Sequence, residues 1–294
     1  MFESESDCNA FLEKYGISKS DFSKAMISWA ELSAIAEDYQ SREKEFEDIL
    51  AECESVLRNC PQIHSYKFRL KDSEHLVEKI IRKNPDEIKK KKGGGSITLA
   101  NYRKKITDLL GFRIVFLYKD DWFSVHDYIA SQYKFAKKPF AYVVKGDEES
   151  RYKERGLSIK HRNDYRSVHY LIKHKGTFVE LQVRTLSEEV WGEIDHNIRY
   201  PYNIHNEMLT RYMALMSDLT SSVDRMASFV YQYLNQFDKD KIPLSSNEVY
   251  NEVLKKLDEI DGNKKVKKEI IDLIKSAEEY SRIVDTADLI ASLY

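Results

Sequence analysis

In the run FVELQVR at residues 178–184 apolar and polar side chains alternate from Val179 onward, the period of a strand with one covered face. Glu180, Gln182 and Arg184 therefore project together to the uncovered side, either as a solvated surface or as the floor of a site. The preceding YRSVHYLI at 165–172 reads as the partner strand, and KHKG at 173–176 closes the pair into a hairpin. GFRIVFLY at 111–118 is β-branched and aromatic, the composition of a buried central strand. Residues 65–71 alternate Tyr66, Phe68 and Leu70 with Lys67, Arg69 and Lys71, then pass into a helix capped by Asp72 or Ser73. Apolar residues recur three and four apart without Gly or Pro over 20–60, and helical patterns follow at about 97–110, 120–133, 188–237 and 249–281. Two stretches break the pattern. Residues 84–99 hold a Pro, four lysines and three glycines, a flexible basic loop without the GK[ST] order of a Walker loop. Residues 137–164 are a charged excursion that predicts a functional or disordered loop. The expected fold class is α+β, a mixed sheet flanked by long helices at both ends. Its parts are an N-terminal helical region at 1–64, a core at 65–204 and a C-terminal helical region at 205–294.

Composition narrows the choice of chemistry. Lys and Arg total 47 against 49 Asp and Glu, a net charge of −2, which excludes a strongly basic nucleic-acid wrapper and leaves local patches to bind anions. Cys8, Cys53 and Cys60 form no CxxC and have no His at metal spacing, so they read as reduced thiols and indicate no zinc site. The acidic N-terminus lacks an apolar signal region and no segment reaches 18 apolar residues, so the expectation is a cytoplasmic protein with no membrane partner.

Three clusters carry the chemistry. Arg69, Lys71, Lys79, Arg82 and Lys83 suit a polyphosphate, or else form a solvated basic helix face. Asp108 stands just before the central strand, where Gly111 permits close approach and Arg113, inside an apolar run, needs a partner. Tyr165 and His169, with Glu180 across the hairpin, supply an aromatic platform, a donor and a second carboxylate. In order along the chain stand RLK at 69–71, KIIRK at 79–83, DLLGFRI at 108–114, NDYRSVH at 163–169, ELQVRT at 180–185 and WGEIDH at 191–196. This series strongly resembles the synthetase domain of RelA/SpoT-family alarmone synthetases, especially the small single-domain forms, over roughly residues 65–204.

The resemblance implies a nucleotidyltransferase-like core that moves the β,γ-pyrophosphate of ATP onto the 3′-hydroxyl of GDP or GTP. It implies that Arg69 and Arg113 sandwich the adenine, that Lys71, Lys79 and Arg82 hold the ATP phosphates, and that Asp108 and Glu180 bind Mg²⁺. Tyr165 would stack on the guanine, and His169, Gln182 and His196 would touch the acceptor's ribose or phosphates. The match departs from the family at Asp164, where the family has Gly, and in the residues leading up to it. With some sixty helical residues ahead of the core, no hydrolase domain is expected. Two further readings stay open at this point. One is a toxin-like relative using the tRNA 3′ end or adenosine nucleotides as acceptor, which the lysines at 89–92 would suit. The other is a noncatalytic nucleotide-binding regulator, against which both carboxylates argue. The C-terminal helices could pair between subunits into a homo-oligomer.

Overall fold

A computed structural model of the chain describes residues 4–90, 94–199 and 206–236. The helical pair expected at 249–281, and any subunit contact through it, lies outside the described residues. The chain divides into two compact units, 1–229 and 230–294, and the sheet, the cleft and every side chain discussed below belong to the first.

Four helices open the chain: α1 (Glu5–Lys14), α2 (Lys19–Lys24), α3 (Trp29–Ser41) and α4 (Glu43–Leu57). Strand β1 (Ser65–Leu70) leads into α5 (Ser73–Lys89), with Asp72 as the cap, its carboxylate accepting from the His75 amide at 3.0 Å. The helix expected near 97–110 shrinks to α6 (Tyr102–Lys105). Asn101 folds back to accept from the Thr98 amide at 2.9 Å, and Ile106 is already extended. There follow β2 (Leu110–Phe116), α7 (Asp121–Gln132) and β3 (Phe135–Val143). The excursion at 137–164 is not the loop its composition suggests: it completes β3 and forms α8 (Ser150–Glu154) and β4 (Ser158–His161). The hairpin is β5 (Ser167–His174) and β6 (Thr177–Thr185), its turn made by Lys175 and Gly176 at φ 45° and 83°, the positive pair that a two-residue hairpin turn needs. The long helix expected from residue 188 is instead two, α9 (Leu186–Arg199) and α10 (Glu207–Gln236).

The six strands form one mixed sheet in the order β1-β2-β6-β5-β3-β4, antiparallel except for the β2–β6 and β3–β4 pairs. Period-2 alternation gives the sheet two unlike faces. On one face Leu110, Phe112, Ile114, Val179, Leu181, Val183, Val168, Tyr170 and Ile172 are buried. They share a single core with Leu32 and Ile35 of α3, Phe46 and Leu50 of α4, and Leu76 and Ile80 of α5. The N-terminal helices are thus the cover of that face. The other face carries polar side chains in register: Lys67 opposite Arg113, Arg113 beside Gln182, Gln182 opposite His169, and His169 opposite Phe140. Arg69, Gly111 and Glu180 form the adjacent row. Helix α9 lies against β2 and β6 and supplies the wall of this face.

Candidate active site

The cleft between the polar sheet face and α9 has an empty volume of about 630 Å³. Lys67, Arg69, Asp108, Gly111, Phe112, Arg113, Glu180, Gln182, Glu193 and His196 line it. Of the eleven residues singled out from sequence, Arg69, Asp108, Arg113, Glu180, Gln182 and His196 meet here. A Cβ on Gly111 would find only the Glu180 carbonyl, at 3.8 Å, so the floor between the two rows is open space.

Asp108 sits at the mouth of β2 because Ile106 leaves helical geometry and the chain turns into the strand. Its Oδ2 accepts from Lys71 Nζ at 3.1 Å and Lys79 Nζ at 2.5 Å, while Oδ1 is buried with no hydrogen-bond partner. Burial pushes its carboxyl up, but the charges of the two lysines more than reverse this and hold it below the usual carboxylate range. Lys71 is itself pushed down by burial, in spite of Asp108. Glu180 follows the same logic: burial raises it, and the hydrogen bond from His169 Nδ1 to Oε1 at 3.1 Å brings it below the usual range. Two ionised carboxylates thus share one cleft, one of them with an orphaned oxygen. That donor set fits Mg²⁺, which takes a few protein carboxylates and fills its shell with substrate oxygens and water. No larger group of metal-ligating side chains occurs among the described residues.

Arg113 finds its partners on α9: Nη1 donates to Glu189 Oε1 at 2.9 Å and pairs with Glu193. Burial lowers its pKa, as do the nearby guanidiniums of Arg184 and Arg69, against the pull of Glu189. His196, one turn beyond Glu193, is pushed down by burial and by the charges of Arg69 and Arg113. The basic cluster divides. Lys71 and Lys79 face Asp108, whereas Arg82 is 65% exposed and pairs with Glu78 at 2.9 Å. Lys83 donates to the Lys105 carbonyl at 2.6 Å, and Lys90 pairs with the buried Glu87, which Lys105 also reaches at 3.3 Å. Lys91 and Lys92 lie outside the described residues.

Tyr165 and His169 stand beside the cleft. His169 is buried, with Nε2 taking the Tyr165 hydroxyl at 3.3 Å and Nδ1 directed at Glu180, so the ring ties the aromatic to the carboxylate. Sequence reasoning placed Arg184 only in the polar row of the site floor, yet it is the hub of this side. Its guanidinium donates to the Tyr165 hydroxyl at 2.5 Å, Gln182 Oε1 at 3.2 Å, Glu189 at 3.1 Å and Ser167 Oγ at 3.2 Å. Its presence in the alternation was the signal. Asp164 pairs with Arg199 of α9 at 2.9 Å, and Arg199 also pairs with Asp195, so one guanidinium is shared between two carboxylates. Arg166 clamps Asp147 through two bonds, at 2.7 and 3.0 Å, and donates to Ser217 of α10 at 2.6 Å. Lys67, Glu189 and Glu193 also went unassigned, although Lys67 is two residues from Arg69 on the same strand face and the two glutamates are one helical turn apart.

Residues 68–205 match the family described as a region found in RelA / SpoT proteins. The GTP pyrophosphokinase YjbM of Bacillus subtilis (strain 168) is 31% identical over 104 residues, 33% of this chain and 43% of that protein. YwaC, a GTP pyrophosphokinase of the same strain, is 26% identical over 149 residues, 48% of this chain and 60% of that protein. The chain thus spans about half the length of these relatives. Among solved structures, the small alarmone synthetase 1 from Bacillus subtilis aligns with a TM-score of 0.47 and 20% identity, over 70% of this chain and 96% of that one. No helix among the described residues is long and apolar enough to cross a membrane.

Proposed function

We propose, on the premise that residues 68–205 are the RelA/SpoT region of this chain, that it transfers the β,γ-pyrophosphate of ATP to the 3′-hydroxyl of GDP or GTP. The observation that carries the reading is the pair of ionised carboxylates, Asp108 and Glu180, on one cleft between a basic side and an aromatic one. Arg69 and Arg113 take the adenine by guanidinium stacking, and Lys71 and Lys79 take the phosphates, exchanging a carboxylate partner for phosphate oxygens. Arg82 joins them only by leaving Glu78. Asp108 and Glu180 would hold Mg²⁺, which supplies neutralisation of phosphate charge when bound. Tyr165 offers its ring to the guanine, and Gln182 and His196 contact the acceptor sugar. His169 orients Glu180.

In the transfer, the 3′-oxygen forms a bond to the β-phosphorus, the Pα–O–Pβ bridge breaks, and its electron pair leaves with AMP. The hydroxyl proton goes to Glu180. A carboxylate held below its usual range is a weak base, so most of the acceleration comes from alignment and charge neutralisation rather than from proton abstraction. The experiment is incubation with γ-labelled ATP, Mg²⁺ and GDP, GTP, ADP or bulk tRNA in turn. Label in GDP and GTP supports the reading. Label confined to tRNA or ADP, or to none of the four, overturns it.

A further inference from the structure

Helix α9 follows β6 without a loop, and a capping box fixes the junction: Thr185 Oγ1 accepts from the Glu188 amide at 3.1 Å, and the Glu188 carboxylate accepts from the Thr185 amide at 3.0 Å. Arg184 and Glu189 flank this box and are held in a fixed relation to each other. Arg113 lies in register beside Gln182, and Arg184 follows Gln182 on the same face of β6, so the two guanidiniums are diagonal neighbours. They repel, and Arg184 is among the charges that lower the pKa of Arg113. Glu189 stands between them, Oε1 accepting from Arg113 Nη1 at 2.9 Å and Oε2 from Arg184 Nη1 at 3.1 Å.

The two arginines depend on this carboxylate unequally. Arg113 also pairs with Glu193, whereas Glu189 is the one carboxylate that Arg184 pairs with among the described residues. Beyond Arg184 comes Tyr165, whose ring centre lies 5.0 Å from the guanidinium carbon and whose hydroxyl accepts from Nη2. From the adenine platform to the guanine platform the contacts therefore run unbroken through Arg113, Glu189, Arg184 and Tyr165. Hydrogen bonds at the edge of Arg113 leave its face open, so an adenine stacks there without displacing Glu189. A base laid on that face excludes water from the carboxylate beside it, and the lower local dielectric strengthens both of its bonds.

We propose that Glu189 is a positioning residue that couples the two nucleotide sites, so that ATP on Arg113 firms the setting of Arg184 and Tyr165 for the acceptor. Linkage makes the effect reciprocal: the acceptor tightens the binding of ATP by the same factor. This rests on the transfer reading above, with the adenine on Arg113 and the guanine on Tyr165.

The test is calorimetric titration of the full chain with Mg²⁺, α,β-methylene ATP, which cannot transfer, and GDP, each alone and in the presence of the other at saturation. In wild type GDP lowers the Kd of the analogue by about fivefold or more, and the analogue lowers that of GDP equally. Glu189→Asp keeps the charge but is one methylene too short to reach both guanidiniums. In it each nucleotide alone binds within about threefold of wild type, while the coupling factor falls to about one. Glu193→Gln, which removes only the second partner of Arg113, keeps the wild-type factor. A wild type that binds the two nucleotides independently overturns the proposal and leaves the transfer reading intact. A coupling factor retained in Glu189→Asp also overturns it, even where both affinities fall, since that is the behaviour of a residue with a structural role only. A wild type that binds neither nucleotide removes the transfer reading and the coupling with it. Circular dichroism and Tm separate misfolding from lost coupling, and the wild-type titration decides the matter by itself should Glu189→Asp unfold.

Discussion

Gly192→Ala sets two physical effects against each other. Residue 192 is in the middle of α9, where replacing Gly by Ala in an unencumbered helix adds about 1 kcal/mol of stability. Here a Cβ would stand 2.4 Å from Arg184 Nη1. The nearest atom is the tip of a long side chain, which elsewhere would swing aside cheaply. Arg184 is only 4% exposed and is held by Tyr165, Gln182, Glu189 and Ser167. An ordinary contact requires the guanidinium to move by about 1 Å, enough to break or distort the bonds of Nη1 and Nη2. Hydrogen bonds of a charged group contribute about 1.5–3 kcal/mol each, so losing two and gaining the helix term leaves a net loss of roughly 2 kcal/mol or more. For a unit of this size that is a fall in Tm of roughly 4–8 °C. The same displacement moves the Tyr165 hydroxyl and the Gln182 amide, and an error of about 1 Å in a positioned group costs on the order of a hundredfold in rate. Thermal unfolding and acceptor titration at saturating ATP read both consequences. A Tm that rises, with the acceptor KM and kcat unchanged, would refute the hub role of Arg184.

Further outcomes follow from the same geometry. Asp108→Asn and Glu180→Gln should each reduce transfer at least a hundredfold with the circular dichroism spectrum retained, and a loss under tenfold in either contradicts the assignment. Tyr165→Ala should weaken acceptor use selectively, by about 1–3 kcal/mol, with ATP binding unaltered; calorimetric titration of both nucleotides shows whether it does. Asp224 of α10 is buried and accepts from Thr185 Oγ1 at 2.7 Å, and burial, then repulsion from Glu188, raises its carboxyl to about 6. A carboxyl raised on folding stabilises the protein only while protonated, so its contribution is present below the unfolded value near 4 and is lost as the pH rises through about 6. Asp224→Asn keeps an acceptor for Thr185 without the charge, and should raise stability at pH 7.5 by about 1–2 kcal/mol and flatten the pH dependence between 4 and 6. Urea unfolding across that range, with no gain at pH 7.5, would contradict the account.

Much of the site was legible because the sheet is built by alternation. FVELQVR announced a polar row, and register alone carries that row from Lys67 to His169. Arg113 in an apolar run announced a buried guanidinium in need of a carboxylate, but Glu189 is 76 positions away and only the crossing of α9 over β2 identifies it. The strands β3 and β4 were hidden by composition. Lys137, Lys138 and Pro139 suit a loop, and two register irregularities in β3 disturb the period that would have disclosed it. β4 is a four-residue edge with exposed basic side chains, which a solvated loop shares. The helix expected before Asp108 failed for a local reason: Asn101 competes for the backbone, and Ile106 must be extended for Asp108 to reach the cleft.

Transfer of a pyrophosphate to a ribose 3′-oxygen leaves two products that identify it. Phosphorus NMR of the purified protein turning over ATP and GDP with Mg²⁺ reads both at once. The expected products are AMP and, in equal amount, a guanosine carrying a new diphosphate at the 3′ position, with both signals absent for Glu180→Gln. ADP as the leaving product, or a diphosphate on any other position of the acceptor, would contradict it.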